Sequence, residues 1–295
     1  MMPLISDAEI DRWLAEDVPY GDLTTHSLGI GERPGRMRFA AREAMVAAAS
    51  EEAARLLVRL GCTVDWRCAS GSLVEAGAPL LAAEGPAAAL LAGWKVAQTL
   101  MEYASGIATV AHRIVQAARA VDPTIVVACT RKTFPGAKAI SLKAILAAGA
   151  TPHRLGLSET ILVFPEHRVF LADEDQAAVL QRLRAACPER KIVAEVKSPE
   201  EALQLAQAGV DVLQLEKFSP AGVAEVVARL ANMGSPVKVA AAGGVKPSNA
   251  ADYARAGAHI LVSSAPYFAP PADVKVTMTA CRDPLRSSPF GDDAG

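Results

Sequence analysis

The stretch "KIVAEVKSPEEALQLAQAGVDVLQLE", Lys191 to Glu216, decides how the second half of the chain is read. Its two ends, "KIVAEV" and "VDVLQLE", are short apolar runs of strand length. Between them "SPEEALQLAQAG" opens on Ser198, whose hydroxyl can cap a helix N-terminus, and closes on Gly209, which can end one. The unit is therefore strand, helix, strand. The runs are apolar on both faces, as strands must be when helices cover both sides of a parallel sheet.

The same rhythm extends outward. "TIVVAC" (Thr124–Cys129) and "ETILVF" (Glu159–Phe164) precede the unit, and "VKVAAA" (Val237–Ala242) and "HILVSS" (His259–Ser264) follow it. "SPAGVAEVVARLANMG" lies between two of these runs and again begins on a capping Ser and ends on Gly. Six strands alternating with helices predict an α/β layer or barrel.

Upstream the pattern differs. Ser6 with Glu9 has the spacing of a capping box opening a short helix. "EDVPYGDLTT" (Glu16–Thr25) is turn-rich, "GRMRFAAREAMVAAA" reads as a strand entering a helix, and "SEEAARLLVRLG" (Ser50–Gly61) as an amphipathic helix. "GSLVEAGAPLLAAEG" (Gly71–Gly85) predicts short strands punctuated by Gly and Pro. An Ala-rich segment from about Ala87 to Ala120 is interrupted at "SGIAT" (Ser105–Thr109) and predicts two helices. The expected organisation is an N-terminal α/β sandwich over 1–110, a barrel domain over 111–280, and a loose tail over 281–295.

Composition narrows the function. Lys+Arg total 30 against 32 Asp+Glu, a formal net charge of −2, so no basic face for nucleic acid is expected. No apolar run approaches the roughly 18 residues a membrane helix needs, and the N-terminus lacks the basic and apolar regions of a signal peptide. The five cysteines are odd in number and contain no C-x-x-C, which predicts reduced thiols in the cytoplasm.

Ligands of parallel α/β sheets sit at the carboxyl ends of the strands. The first run is followed by "TRKTFPGAK", which offers Thr130, Arg131, Lys132 and Lys138. "PHRLG" brings His153 and Arg154, and the second run ends at Phe164. The third and fourth carry Glu195 and Glu216, with Lys197 and Lys217 just beyond. The fifth ends in Gly243-Gly244 and the sixth in Ser263-Ser264. Cations that share a site repel unless an anion joins them. Lys/Arg and backbone N–H groups bind phosphate, while carboxylates hold Mg²⁺ or ribose hydroxyls, so the set predicts a cradle for a phosphorylated, metal-bound ligand. Each element also has a structural alternative. Lys138 can be a solvated helix residue, His153 and Arg154 a satisfied pair, and the two glutamates partners of lysines across the sheet. Gly-Gly can be a tight turn, and Cys129 a small strand residue rather than a nucleophile.

These motifs, in this order, resemble the quinolinate phosphoribosyltransferases, also called nicotinate-nucleotide pyrophosphorylases. The resemblance rests on "EDVPYGDLTT", "SGIAT", "TRKTFPGAK", "HRLGLSETIL", "AEV", "LQLEKFSP" and "AAGGV" and runs to about Met278. "TRKTFPGAK…PHRLGLSETILVFPEH" is closer still to the ModD branch, encoded with molybdate-transport genes. The resemblance implies an N-terminal α/β sandwich and an open α/β barrel, in a homodimer whose active sites are shared between subunits. It implies transfer of phosphoribose from phosphoribosyl pyrophosphate to a nitrogen heterocycle, with Mg²⁺ accompanying the donor and no tightly bound organic cofactor. It places Arg131 and Lys132 on substrate carboxylate and phosphate, and His153 and Arg154 in the ring pocket. Glu195 and Glu216 would hold ribose hydroxyls or Mg²⁺, and Gly243 and Gly244 the 5′-phosphate. Thr130, Lys138, Lys217 and Ser263 fall among the expected substrate contacts, and Lys95 is expected to reach in from the partner subunit.

The chain departs from the family pattern at several of these places. Phe164 stands where a Lys usually meets the diacid, Lys95 where an Arg is usual, and Lys217 where an Asn is usual. Lys197, Ala240 and Ala242 also differ from the usual residues. The phosphoribosyl side is better kept than the acceptor side, so quinolinate itself is expected to be a poor acceptor. Two rival readings remain: a non-catalytic nucleotide or metabolite sensor linked to molybdate uptake, for which Glu195 and Glu216 would have no use, and a barrel forming a Schiff base through Lys132, which fits Arg131 next door less well.

Overall fold

The computed structural model of the protein describes residues 5–281; most of the expected loose tail, 282–295, lies outside them. The chain divides into two compact units, one running to Ala108 and resuming at Pro270, the other spanning Thr109–Ala269.

The first unit begins with α1 (Asp7–Asp17) and α2 (Leu23–Ser27). Ser6 Oγ accepts the Glu9 backbone N–H (3.2 Å), as a capping residue should. Then come β1 (Pro34–Ala41), β2 (Met45–Val46), α3 (Ser50–Arg59), β3 (Thr63–Arg67), β4 (Leu73–Val74), β5 (Pro79–Pro86) and α4 (Ala87–Arg119). Two predictions fail here. "AREAMVAAA" forms a two-residue strand and a loop, with no helix before Ser50. "SGIAT" does not break the Ala-rich segment: α4 is one helix of 33 residues. The small residues serve close packing instead. Ser105 Oγ is buried and accepts the Ala48 N–H (3.0 Å), and a Cβ on Gly106 would stand 2.3 Å from the Pro270 carbonyl oxygen.

The second unit contains β6 (Val126–Cys129), α5 (Lys138–Ala147), β7 (Thr151–Pro152), β8 (Ile161–Val163), α6 (Pro165–Arg168) and α7 (Gln176–Ala186). It continues with β9 (Ile192–Val196), α8 (Pro199–Gln207), β10 (Val212–Glu216), α9 (Pro220–Asn232), β11 (Lys238–Ala242), α10 (Ala250–Arg255) and β12 (Ile260–Ser263). All six predicted strands form, and β7 makes a seventh. The sheet order is β7-β6-β12-β11-β10-β9-β8, and its paired strands run parallel. The sheet is an open half-barrel with β7 and β8 as its edges, and the loop between them carries His153, Arg154 and Leu157. Side chains alternate across each strand. Val212, Ala240, Ala242 and Val262 pack into one cluster with Val193 and Ile260. Leu213, Leu215, Ala241 and Leu261, of opposite parity, are fully buried on the other face.

The last strand, β13 (Val274–Ala280), departs from a domain carried through residue 280. It pairs antiparallel with β1, completing a sheet of order β13-β1-β5-β3 in the first unit.

Gly106 offers a direct check on the packing. Gly→Ala in an exposed helix interior gains about 1 kcal/mol. Gly106→Ala should instead lose about 1–3 kcal/mol, because the carbonyl it meets belongs to the backbone. The midpoint of urea denaturation reads the difference, and a gain in stability would refute the contact.

Candidate active site

The parallel strands end at a cavity of about 1690 Å³ confined to the second unit. Its lining gathers Thr130, Arg131, Lys132, His153, Arg154, Phe164, Glu195, Glu216, Lys217, Gly243 and Gly244, eleven of the positions singled out in the sequence. Lys138 and Ser263 are not among them, and Lys95 belongs to the first unit.

The cations are fixed locally. The Thr130 backbone N–H donates to the Ser263 carbonyl (3.0 Å), which ties the end of β6 to β12. Thr130 Oγ1 accepts the Lys132 N–H (3.4 Å), and Arg131 and Lys132 are exposed. The His153 N–H donates to the Cys129 carbonyl (2.8 Å), continuing the β6–β7 ladder. Lys138 donates to the Leu155 carbonyl and Glu159 accepts the Leu155 N–H, so Lys138 braces the loop that holds Arg154. Ser263 is also structural: its Oγ donates to the Val245 carbonyl (2.7 Å) and accepts the Ala265 N–H (3.1 Å).

Arg154 is only 7% exposed. Among the described residues its guanidinium has no carboxylate partner, and it lies over the Phe164 ring, 5.4 Å from the centroid. Burial, then the charge of Arg131, lowers its pKa. Phe164 stacks in turn on His167 (centroids 5.8 Å apart), and its backbone N–H donates to His167 Nδ1 (2.9 Å). Burial, followed by the charge of Arg154, depresses the His153 pKa to about 4, so this imidazole is neutral at pH 7.

The carboxylates stand on neighbouring strands. Glu195 is opposite Gln214 across the β9–β10 ladder, and Gln214 Nε2 donates to Glu195 Oε2 (2.7 Å). Burial raises the Glu195 pKa, the Gln214 bond lowers it, and Glu216 raises it again. Glu216 lies two residues farther along β10. The Arg168 guanidinium donates to the Glu195 carbonyl (2.7 Å) and pairs with Glu201, which secures the end of β9. Lys197 is outside the lining; its N–H donates to Glu201 (2.8 Å).

Lys217 has φ +61, a left-handed conformation that costs a non-Gly residue about 1 kcal/mol. Its N–H donates to the Ala242 carbonyl (2.8 Å). Gly243 (φ +82) packs against this turn: a Cβ there would lie 2.6 Å from Lys217 Cγ and 2.7 Å from Glu216 Oε1. Gly243 is therefore required by close approach as well as by φ, and Gly244 (φ +104) by φ alone.

No group of three His, Cys, Asp or Glu side chains able to hold a metal occurs among the described residues. The carboxylates of the cavity lining are Glu166, Glu195 and Glu216.

Gln214, Lys246, Glu166, His167 and Phe170 also line the cavity and were not singled out in the sequence. Gln214 was open to detection, since it shares the inward parity of Glu216 two positions on. His167 and Phe170 lie on short helical turns after β8 that carry no periodic signal.

The family profile for the quinolinate phosphoribosyl transferase N-terminal domain matches residues 22–105, and that for the C-terminal domain matches residues 107–277. A Rhodobacter capsulatus protein named "Putative pyrophosphorylase ModD" is 54% identical over 258 residues, covering 87% of this chain and 98% of its own. The human nicotinate-nucleotide pyrophosphorylase (carboxylating) is 33% identical over 262 residues, covering 89% of this chain and 86% of its own. The structure of NadC from Streptococcus pyogenes superposes with a TM-score of 0.84 at 22% identity, over 94% of this chain and 97% of that one.

His153 supplies a prediction about pH. Its folded pKa, about 4, lies below the ordinary 6.5, so the unfolded chain binds the proton first. Stability from this group is intact above pH 6.5 and falls as the pH drops toward 4. The loss is on the order of 2 kcal/mol, at about 1.4 kcal/mol per pKa unit and discounted for partial exposure. His259, whose pKa is also lowered by burial, acts in the same direction, and Glu195, whose pKa is raised, acts against it. His153→Asn should flatten the acid limb of a stability–pH curve from urea melts. An unchanged limb would mean that His153 charges freely in the folded state.

Proposed function

The chain belongs to the quinolinate phosphoribosyltransferase family, a pentosyltransferase family, and from that premise we propose how its site divides the work. The donor is phosphoribosyl pyrophosphate and the acceptor a nitrogen heterocycle, quinolinate-like or related. The observation that carries this reading is the convergence of Arg131, Lys132, Lys217 and Lys246 with Glu195 and Glu216 on one cavity. Phosphates neutralise the cations, and ribose hydroxyls donate to the carboxylates. A sensor of phosphate alone would have no use for the two acids.

As the bond from ribose C1 to pyrophosphate breaks, positive charge builds at C1 and negative charge on the leaving group. Lys132 and Lys217 stabilise the departing oxygens, while Glu195 and Glu216 fix the sugar and offset the charge on the ring. Mg²⁺ accompanying the donor would be held by Glu195 or Glu216 and by the diphosphate, and supplies further charge for the leaving group. Neutral His153 and cationic Arg154 orient the acceptor. Phe164 adds no charge on that side, so a diacid such as quinolinate is poorly neutralised.

Lys132→Ala should weaken phosphoribosyl pyrophosphate binding by about 1.5–3 kcal/mol, roughly 10- to 150-fold, with the fold intact by circular dichroism. Unchanged affinity by calorimetry would remove Lys132 from the phosphate site.

We also propose a homodimer in which Lys95 acts in the partner's site. Lys95 Nζ rests 4.3 Å from the Trp94 ring centroid and donates to Gln98 Oε1 (3.1 Å), which leaves its charge without an acid among the described residues. A twofold partner can place such a cation over an open barrel. Inactive Lys95→Ala and Glu195→Ala, mixed and refolded together, should recover about a quarter of wild-type activity, because half the dimers are mixed and half their sites are intact. A mixture that stays inactive despite proven heterodimers would place Lys95 in its own subunit's site or in none.

A further inference from the structure

The cavity has two unlike halves. One is the charged cradle at the strand ends. The other runs along β8, the free edge of the half-barrel, and is lined by Leu157, Ile161, Phe170, Leu171 and Leu183. The cation on this side, Arg182, is paired with Glu174 (2.6 Å), so it adds no unpaired positive charge to the wall. A pocket for one drug-sized ligand measures about 300–1,000 Å³. The 1690 Å³ here gives room for a donor and an acceptor together.

Two observations indicate what fills that room. Arg154, more than nine-tenths buried and without an acid, needs an anion, and the ring beneath it is Phe164, where the apolar wall begins. A ligand whose anion meets Arg154 is thus held beside Phe164, where the wall begins. At the rim Phe170 and Leu157 are 87% and 73% exposed. Large apolar side chains exposed together beside a concave site mark a surface that a ligand covers.

We propose that the acceptor is a fused-ring or apolar-substituted nitrogen heterocycle bearing a single acidic group, its acid on Arg154 and its second ring in the annexe along β8. This rests on the phosphoribosyl-transfer reading for the name acceptor, though not for the binding itself. Specificity then comes from burying apolar ring surface, to which a single-ring diacid contributes little.

Calorimetry on the full chain compares quinoline-2-carboxylate with pyridine-2-carboxylate, with and without phosphoribosyl pyrophosphate. The bicyclic acid should bind at least about tenfold more tightly. The double variant Leu157→Ser, Phe170→Ser alters two exposed side chains and leaves the core intact. It should cut the preference to below about threefold, and Phe164→Lys should shift the preference toward pyridine-2,3-dicarboxylate. Equal binding of the two monoacids, no binding of either, or a preference that survives the double variant would overturn the annexe. Binding of the donor and release of pyrophosphate are scored separately. A bicyclic preference without donor binding would retain the annexe and discard phosphoribosyl transfer, whereas donor turnover without the preference would do the reverse.

Discussion

Arg154 imposes the constraint from which the site follows. The residue is only 7% exposed, its guanidinium lies near a second arginine, and no carboxylate among the described residues neutralises it. A buried charge without a partner is costly, and folds keep such a group where a ligand completes it. The fold meets part of the cost with the face of Phe164, a cation–π contact worth about 1–2 kcal/mol when desolvated. The depressed pKa of His153 belongs to the same balance, since a charged imidazole beside Arg154 would add to the repulsion.

The half-barrel makes this arrangement possible. A closed barrel would fill its interior with side chains in layers. Here the sheet stops at β7 and β8, and the loop between those edges carries the His–Arg pair. The strands opposite bring Glu195, Glu216 and the Gly243–Gly244 turn to the same rim. Ala240 and Ala242 on β11 leave interior space beside Gln214 and Glu216, their ladder partners. The opening gives substrate access, and it also exposes the apolar flank of β8.

Much of this was legible in the sequence because parallel strands write a strong signal: apolar runs between capped helices, with polar residues at the carboxyl ends. The positions of Arg131, Lys132, Glu195, Glu216 and the glycines follow from that rule. What was not legible depends on tertiary contact. "SGIAT" looks like a break because Ser and Gly are poor helix formers, yet Ser105 and Gly106 are small to admit Ala48 and Pro270. β7 is two residues long, one of them proline, and has no periodicity to read. Lys138 and Ser263 sit at promising places but are committed to the carbonyls of Leu155 and Val245. No spacing rule foretells that. Nor could the sequence say that β13 returns to pair with β1, because antiparallel partners can lie any distance apart in the chain.

The central claim is that one cavity receives a phosphoribosyl diphosphate among the cations at the strand ends. A crystal structure of the full chain with phosphoribosyl pyrophosphate and Mg²⁺ tests it most directly. The account predicts diphosphate density between Lys132 and Lys217, ribose hydroxyls within hydrogen-bond reach of Glu195 or Glu216, and the 5′-phosphate at Gly243–Gly244. Donor density elsewhere on the protein, or an empty cavity at saturating donor, would contradict it.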